Sequence, residues 1–268
     1  MEVPAFTARP PDARLLEGRR ALVTGADSGI GQGVTYELAA HGAAVAINHV
    51  GDSAVADAMA DEIERGGGRA QPVHMDVSRE QDVARGFGEA REGLGGVDLL
   101  VNNAGIESAY ELVDMPLEAF EQVIAVNLVG SFLCAREAAR MMLDQGSGGA
   151  IVNITSVHEQ IPWKRYSHYC ASKGGQKLFG QSIARELAPR GIRVVAVAPG
   201  AIETPINRDE LADPEVKARV LEEIPHGRMG TVQDVARVVA WVASDQADYV
   251  VGSTIFVDGG MVLYEGFV

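Results

Sequence analysis

From Arg19 onward, short aliphatic runs alternate with helix-patterned segments, one unit every ~25 residues, and this alternation limits the chain to very few architectures. The runs Ala21–Thr24, Ala44–Ile47, Ala70–Met75, Val97–Val101, Ala150–Thr155, Arg193–Ala198 and Ser253–Val257 read as strands. Helical spacing follows Gly31 through Val34, Leu38 and Ala39, and recurs over residues 53–65, 79–94, 117–144, 167–188 and 231–243. Strands separated by helices must cross over, and right-handed crossovers give a parallel sheet. The spacing therefore predicts an α/β chain with about seven parallel strands and helices on both faces of the sheet. Such a sheet takes its ligands at the carboxyl ends of its strands.

What stands at those ends is polar or glycine-rich. Gly25, Gly29 and Gly31 close the first strand and open a helix at Gly-x-x-x-Gly-x-Gly spacing, which suits the pyrophosphate site of a doubly wound (Rossmann-type) sheet, where backbone N–H groups and a helix N-terminus meet, and equally a plain glycine-rich turn. Asp76 follows the third strand, Asn102, Asn103, Ala104 and Gly105 the fourth, Ser156 the fifth, and Pro199 with Gly200 the sixth. Taken singly, each is ordinary turn chemistry. Together they open onto one edge. Tyr169 and Lys173 stand four apart in the segment after the fifth strand, so a helix puts phenol and ammonium on one face. A cation beside a phenol favours the phenolate, which is expected to lower the tyrosine pKa toward the working pH.

The 31 glycines among 268 residues and the 47% apolar content allow a large core with close backbone approaches, in one domain spanning 19–268. Residues 1–18, with Pro4, Pro10 and Pro11, read as a flexible N-terminal arm. Pro199, Pro205, Pro214 and Pro225 surround a short helical piece, Glu215–Glu223, and mark 200–228 as a lid-like insertion. A net charge of −14 opposes binding to nucleic acid or anionic membrane through a general basic surface. No run of about 18 apolar residues and no basic leader is apparent, which points to a cytoplasmic protein with no membrane partner. Cys134 and Cys170 read as packing residues, and no metal site is expected.

Thr24 with Gly25, Gly29 and Gly31, then Asn102 to Gly105, Asn127, Ser156, Tyr169 with Lys173, and Pro199-Gly200 with Thr204 together resemble the short-chain dehydrogenase/reductase family, from Arg19 to the C-terminus. The segments Ser156–Trp163, Pro199–Asn207, Ile224-Pro225 and Asp258–Tyr264 are similar to the bacterial glucose 1-dehydrogenases of that family. The resemblance implies hydride transfer between a sugar or other secondary alcohol carbon and NAD or NADP, with glucose oxidised at C1, in a homotetramer. It implies that Tyr169 is the base, Lys173 the ribose-holding cation, Ser156 the partner of the reacting oxygen, and Asn127 the holder of a water linking Lys173 to solvent. Coenzyme contacts are implied for Gly25, Asp27, Ser28, Gly29, Ile30, Gly31, Asn48, His49, Asp76, Val77, Asn103, Ala104, Gly105, Tyr169, Lys173, Pro199, Gly200, Ile202 and Thr204. Substrate contacts are implied for Glu107, Ser156, His158, Tyr169 and Asn207, with Trp163 anchoring the loop.

An acid at the end of the second strand serves NAD, and a nearby Arg or Lys serves NADP. Here Asn48 stands at the acid's place in the segment Ile47–Asp52, no Arg follows where the glucose dehydrogenases tend to carry one, and Asp27, if it faces the site, repels a 2′-phosphate, so the balance tips toward NAD. Two alternatives stand beside the glucose reading: a 3-oxoacyl or other ketone/alcohol reductase of the same family, and a non-catalytic NAD(P)-sensing regulator. The presence of Asn127, Ser156, Tyr169 and Lys173 together speaks against the second.

Overall fold

The structure, a computed structural model, describes residues 14–205 and 213–263. Seven parallel strands form one sheet in the order β3-β2-β1-β4-β5-β6-β7. They are β1 (Arg20–Val23), β2 (Ala44–His49), β3 (Arg69–His74), β4 (Leu99–Asn102), β5 (Gly149–Ile154), β6 (Ile192–Pro199) and β7 (Thr254–Val257). Between them run α1 (Gly29–Ala40), α2 (Ala54–Arg65), α3 (Glu80–Leu94), α4 (Leu117–Ile124), α5 (Gly130–Gln145), α6 (Ser167–Leu187), α7 (Pro214–Glu222) and α8 (Val232–Ala243). The strand order reverses between β1 and β4, so the crevice of the fold opens there.

Alternation along the strands sorts the core into two layers. Ala21 and Val23 of β1 join Val45 and Ile47 of β2 and the buried faces of α1, α2 and α8 on one side. Leu22, Ala46, Leu100 and Ile151 join Phe87 of α3, Leu133 and Met142 of α5, and Ala184 of α6 on the other. Both sides of each central strand are buried, which is why these strands read as unbroken aliphatic runs.

Three sequence expectations change. Within the stretch 1–18 foreseen as an arm, Leu16 is fully buried and its N–H donates to the His41 carbonyl at 3.0 Å. Residues 1–13 lie outside the described residues. The helical stretch 117–144 is two helices joined by a π-helical turn, Ala125–Val129. That composite, Leu117–Gln145, is also long and apolar enough to cross a membrane by length and composition, contrary to the reading that no such run exists. Here its inner side packs into the core through Leu133, Cys134, Ala138 and Met142. In the insertion 200–228, α7 is capped by Asp213, whose carboxylate accepts from the Glu215 N–H at 2.9 Å. Residues 206–212 lie outside the described residues.

Candidate active site

The glycine turn after β1 is held from three directions. Gly25 has φ +57, and a side chain at Gly31 would collide with the Gly25 carbonyl, so neither position accepts another residue without strain. Asn103 donates from Nδ2 to the Thr24 and Gly25 carbonyls, both at 2.9 Å. The Thr24 hydroxyl accepts from the Asn103 and Ala104 N–H groups at 2.9 Å. The turn thus joins the end of β1 to the end of β4, with Ser28 and Gly29 opening α1 beside it. Asp27 is half-buried and Ser28 exposed in the same turn.

Asn48 completes this frame, and it does not face a ribose. It is fully buried; its Oδ1 accepts from the Gly25 N–H at 3.0 Å, while Nδ2 donates to the carbonyls of His49, Val73 and Met75 at 3.2, 3.3 and 2.9 Å. The expected contact from the Asn48 side chain is therefore corrected: the amide welds β2, β3 and the glycine turn together. His49 is buried too, its Nδ1 3.1 Å from the Gly51 carbonyl. Asp76 turns onto its own loop, accepting from the Ser78 N–H and hydroxyl at 2.9 and 2.7 Å and pairing with Arg79 at 3.2 Å. Burial alone would raise its pKa, but these partners hold it below the usual carboxylate value. Val77 packs against Gly130.

Beyond the turn lies a cavity of about 530 Å³. Its floor and walls include Ile30, Asn103, Gly105, Glu107, Ser156, His158, Tyr169, Lys173, Pro199, Gly200, Ile202 and Thr204, so most of the residues expected at the nicotinamide end converge here. Asn207 lies outside the described residues. Ser156 leaves β5 in extended backbone, and its Oγ accepts from the His158 N–H at 3.2 Å. It also faces the Tyr169 hydroxyl, whose pKa it works to lower. His158, Trp163 and Tyr166 form a ring stack, His158–Trp163 at 4.6 Å and Trp163–Tyr166 at 3.6 Å between centroids. Trp163 therefore anchors the loop. Burial pushes the His158 pKa down, which keeps its ring neutral against Trp163.

The Tyr169–Lys173 pair differs from the simple expectation. Burial and the charge of Glu107 raise the Tyr169 pKa, and only Ser156 works the other way. The Lys173 ammonium lies 5.6 Å from the Tyr169 ring centroid and donates instead to the Ile154 carbonyl at 2.9 Å and Gln176 Oε1 at 3.3 Å. Burial pushes Lys173 down to about 8, against Glu107 and Glu159, which raise it. A two-residue spacing argument could not foresee a lysine turned toward backbone.

Asn127 sits in the π-turn, fully buried. Its Oδ1 accepts from the Ile106 N–H at 2.8 Å, and Nδ2 donates to the Ile106 carbonyl and Ser172 Oγ, both at 3.0 Å. This side chain ties the loop after β4 to α6. Sequence reasoning missed Ser131, Ser172 and Gln176, whose one visible signal is polar residues at inward positions of helices. Cys134 is buried, which pushes its thiol up to about 12, and burial raises Cys170 as well; neither is activated.

A crevice of this build, at the point where strand order reverses, defines a dinucleotide-dependent oxidoreductase of the single-domain α/β class. A family profile described as enoyl-(acyl carrier protein) reductase matches residues 25–262. The 3beta-hydroxysteroid dehydrogenase 1 of Eggerthella lenta is 45% identical over 252 residues, covering 94% of this chain and 97% of that protein. A glucose 1-dehydrogenase of Gluconobacter oxydans is 40% identical over 251 residues, covering 93% and 94%. A crystal structure of a short-chain type dehydrogenase/reductase from Mycobacterium marinum superimposes with a TM-score of 0.89 at 38% identity, covering 94% of this chain and 99% of that one. The chain belongs to the short-chain dehydrogenase/reductase family, and it is an NAD(P)-dependent oxidoreductase acting on CH–OH groups.

Proposed function

We propose that the protein oxidises a cyclic polyol at a secondary hydroxyl, with glucose at C1 as the first candidate and NAD favoured over NADP. The observation that carries this is the meeting of Glu107 and His158 with Ser156 and Tyr169 around one cavity, since a sugar needs several polar side chains beside its reacting carbon. NAD(P), when bound, supplies the hydride acceptor. Ser156 hydrogen-bonds the substrate oxygen, Tyr169 takes the hydroxyl proton at its Oη, and Lys173 provides positive charge behind it. Asn127 keeps the loop after β4 and the lysine-bearing helix in register. The glycine turn, Asn103 to Gly105, Pro199, Gly200, Ile202 and Thr204 hold the coenzyme.

NAD is favoured because the turn after β2 presents Val50, more than half exposed, where a 2′-phosphate needs a cation. The neighbouring imidazoles face backbone, His74 Nε2 lying 2.8 Å from the Val50 carbonyl. A kcat/KM for NADP more than about ten times that for NAD would overturn this preference.

A second reading is favoured by the apolar part of the same lining, where Val157, Ile161, Pro162, Val220, Met229 and Met261 suit a hydroxysteroid. One assay separates the two. Purified protein is offered NAD or NADP with aldoses, polyols, hydroxysteroids and simple secondary alcohols, and the reduced coenzyme is followed by absorbance. Turnover of hydroxysteroids or secondary alcohols without any aldose would remove the glucose reading, and coenzyme binding without turnover of any compound would favour a sensor. The apolar outer surface supports a homotetramer.

A further inference from the structure

Behind the cavity, Lys173 is held by a buried polar branch that the reaction as described does not use. Its ammonium donates to the Ile154 carbonyl at 2.9 Å and to Gln176 Oε1 at 3.3 Å. Gln176 Nε2 donates to Ser131 Oγ at 2.8 Å, and Ser131 Oγ donates to the Asn127 carbonyl at 2.7 Å. Lys173, Gln176 and Ser131 are only 4%, 1% and 4% exposed. The direction of each bond is fixed by chemistry. An ammonium has only donors, so Gln176 must turn its oxygen toward Lys173, and its NH₂ then needs an acceptor. Ser131 supplies that acceptor and sends its own proton to the Asn127 carbonyl.

A buried glutamine is costly unless its hydrogen bonds are made, and an apolar residue would fill this helix face more cheaply. An ammonium has three N–H groups. Two are committed inward, which leaves one for the cavity that Lys173 lines. We propose that Gln176 is the positioning residue of Lys173, that it keeps the ammonium charged with its third N–H aimed at the coenzyme side of the crevice, and that Ser131 locks Gln176 in the orientation required. The proposal rests on the reading that Lys173 contacts the bound coenzyme.

The groups facing the ammonium come from several elements. Glu107 in the loop after β4 and Glu159 in the turn after β5 both favour its charged form, while burial opposes it. Tyr169 lies one turn before it on α6. Glu159 is itself engaged by Lys177 at 3.1 Å, so Gln176 is the hydrogen-bonding side chain that meets the ammonium directly among the described contacts. With Lys173 near 8, its charge is present below that pH and lost above it. Coenzyme affinity that depends on the ammonium then falls as pH rises through the same range.

The test is titration of the full chain with NADH, followed by coenzyme fluorescence from about pH 6 to 10, with thermal unfolding recorded in parallel. Gln176→Leu removes an acceptor and is expected to move the inflection in NADH affinity down by about one pH unit. Gln176→Glu places an anion there and is expected to move it up. Ser131→Ala leaves Gln176 unanchored and is expected to move it down by less. If Gln176→Leu does not fold, the opposite shifts of Gln176→Glu and Ser131→Ala still decide the matter. An inflection unchanged in every folded variant, with only the melting temperature lowered, would overturn the role of Gln176. Wild-type protein that binds neither NADH nor NADPH would instead overturn the coenzyme reading beneath it.

Discussion

Asn48 shows what a residue's place in a pattern reveals and what it hides. Counting from the glycine turn places it correctly at the end of β2, where an acid commonly meets a ribose, but counting says nothing about side-chain direction. The amide is internal and fully engaged: three carbonyls accept from it and one backbone N–H donates to it. Asn48→Asp, which looks like a gain of NAD specificity, removes those donors and sets a buried anion against the same carbonyls. It is expected to destabilise the protein by on the order of 3 kcal/mol, measured by urea unfolding, without improving the KM for NAD. Undiminished stability with tighter NAD binding would refute the internal role. Tyr169 is a different case: it lines the cavity with Ser156 and Lys173, but burial and Glu107 raise its pKa instead of lowering it. Tyr169→Phe is expected to lower kcat by at least about 100-fold while NADH affinity stays within about twofold. Retention of more than about a tenth of the turnover would remove Tyr169 as the base.

At the scale of elements, α8 begins with a reciprocal capping box between Thr231 and Asp234, and Arg228 pairs with the same carboxylate at 2.8 Å. Thr231→Ala is expected to cost about 1 kcal/mol in chemical unfolding. The Arg228 hydrogen bond, then the Thr231 N–H, hold the Asp234 pKa below its ordinary value. A depressed carboxylate pKa stabilises the fold above the unfolded value of about 4 and loses that contribution as pH falls below it. The acid side of the stability profile is therefore where Asp234→Asn differs least from wild type; an equal deficit at pH 7 and below pH 3 would contradict the linkage. Whereas β3, Arg69–His74, shows only a weak apolar pattern, the central strands were readable because they are aliphatic on both faces and bounded by turn residues. The π-turn was not, since widening a helix over Ala125–Val129 calls for no special residue type and leaves the apolar pattern nearly intact. That turn carries Asn127, whose side chain bonds Ile106 and Ser172.

For the molecule as a whole, topology explains why so much of the site followed from order along the chain. A parallel sheet gathers the ends of β1, β4, β5 and β6 at one edge, so Gly25, Asn103, Ser156 and Pro199 meet whatever their loops do. The outer surface obeys no such rule, and it carries the remaining prediction. On the helical layer of α4, α5 and α6, Leu117, Phe120, Val129, Phe132 and Leu178 are 65%, 39%, 40%, 40% and 68% exposed, and Phe132 meets Phe179 edge-on at 6.1 Å. Near α8 and β7, Trp241, Tyr249 and Val251 are 38%, 99% and 38% exposed. Apolar groups clustered in this way mark association surfaces. If each of two such patches pairs with its own copy about a two-fold axis, the assembly closes as a tetramer. Light scattering is expected to give four times the 28.4 kDa chain mass. Phe132→Glu combined with Leu178→Glu buries like charges at one interface and is expected to leave dimers, whereas Tyr249→Glu acts on the other interface alone. A wild-type monomer, or a tetramer indifferent to both changes, would refute this assembly.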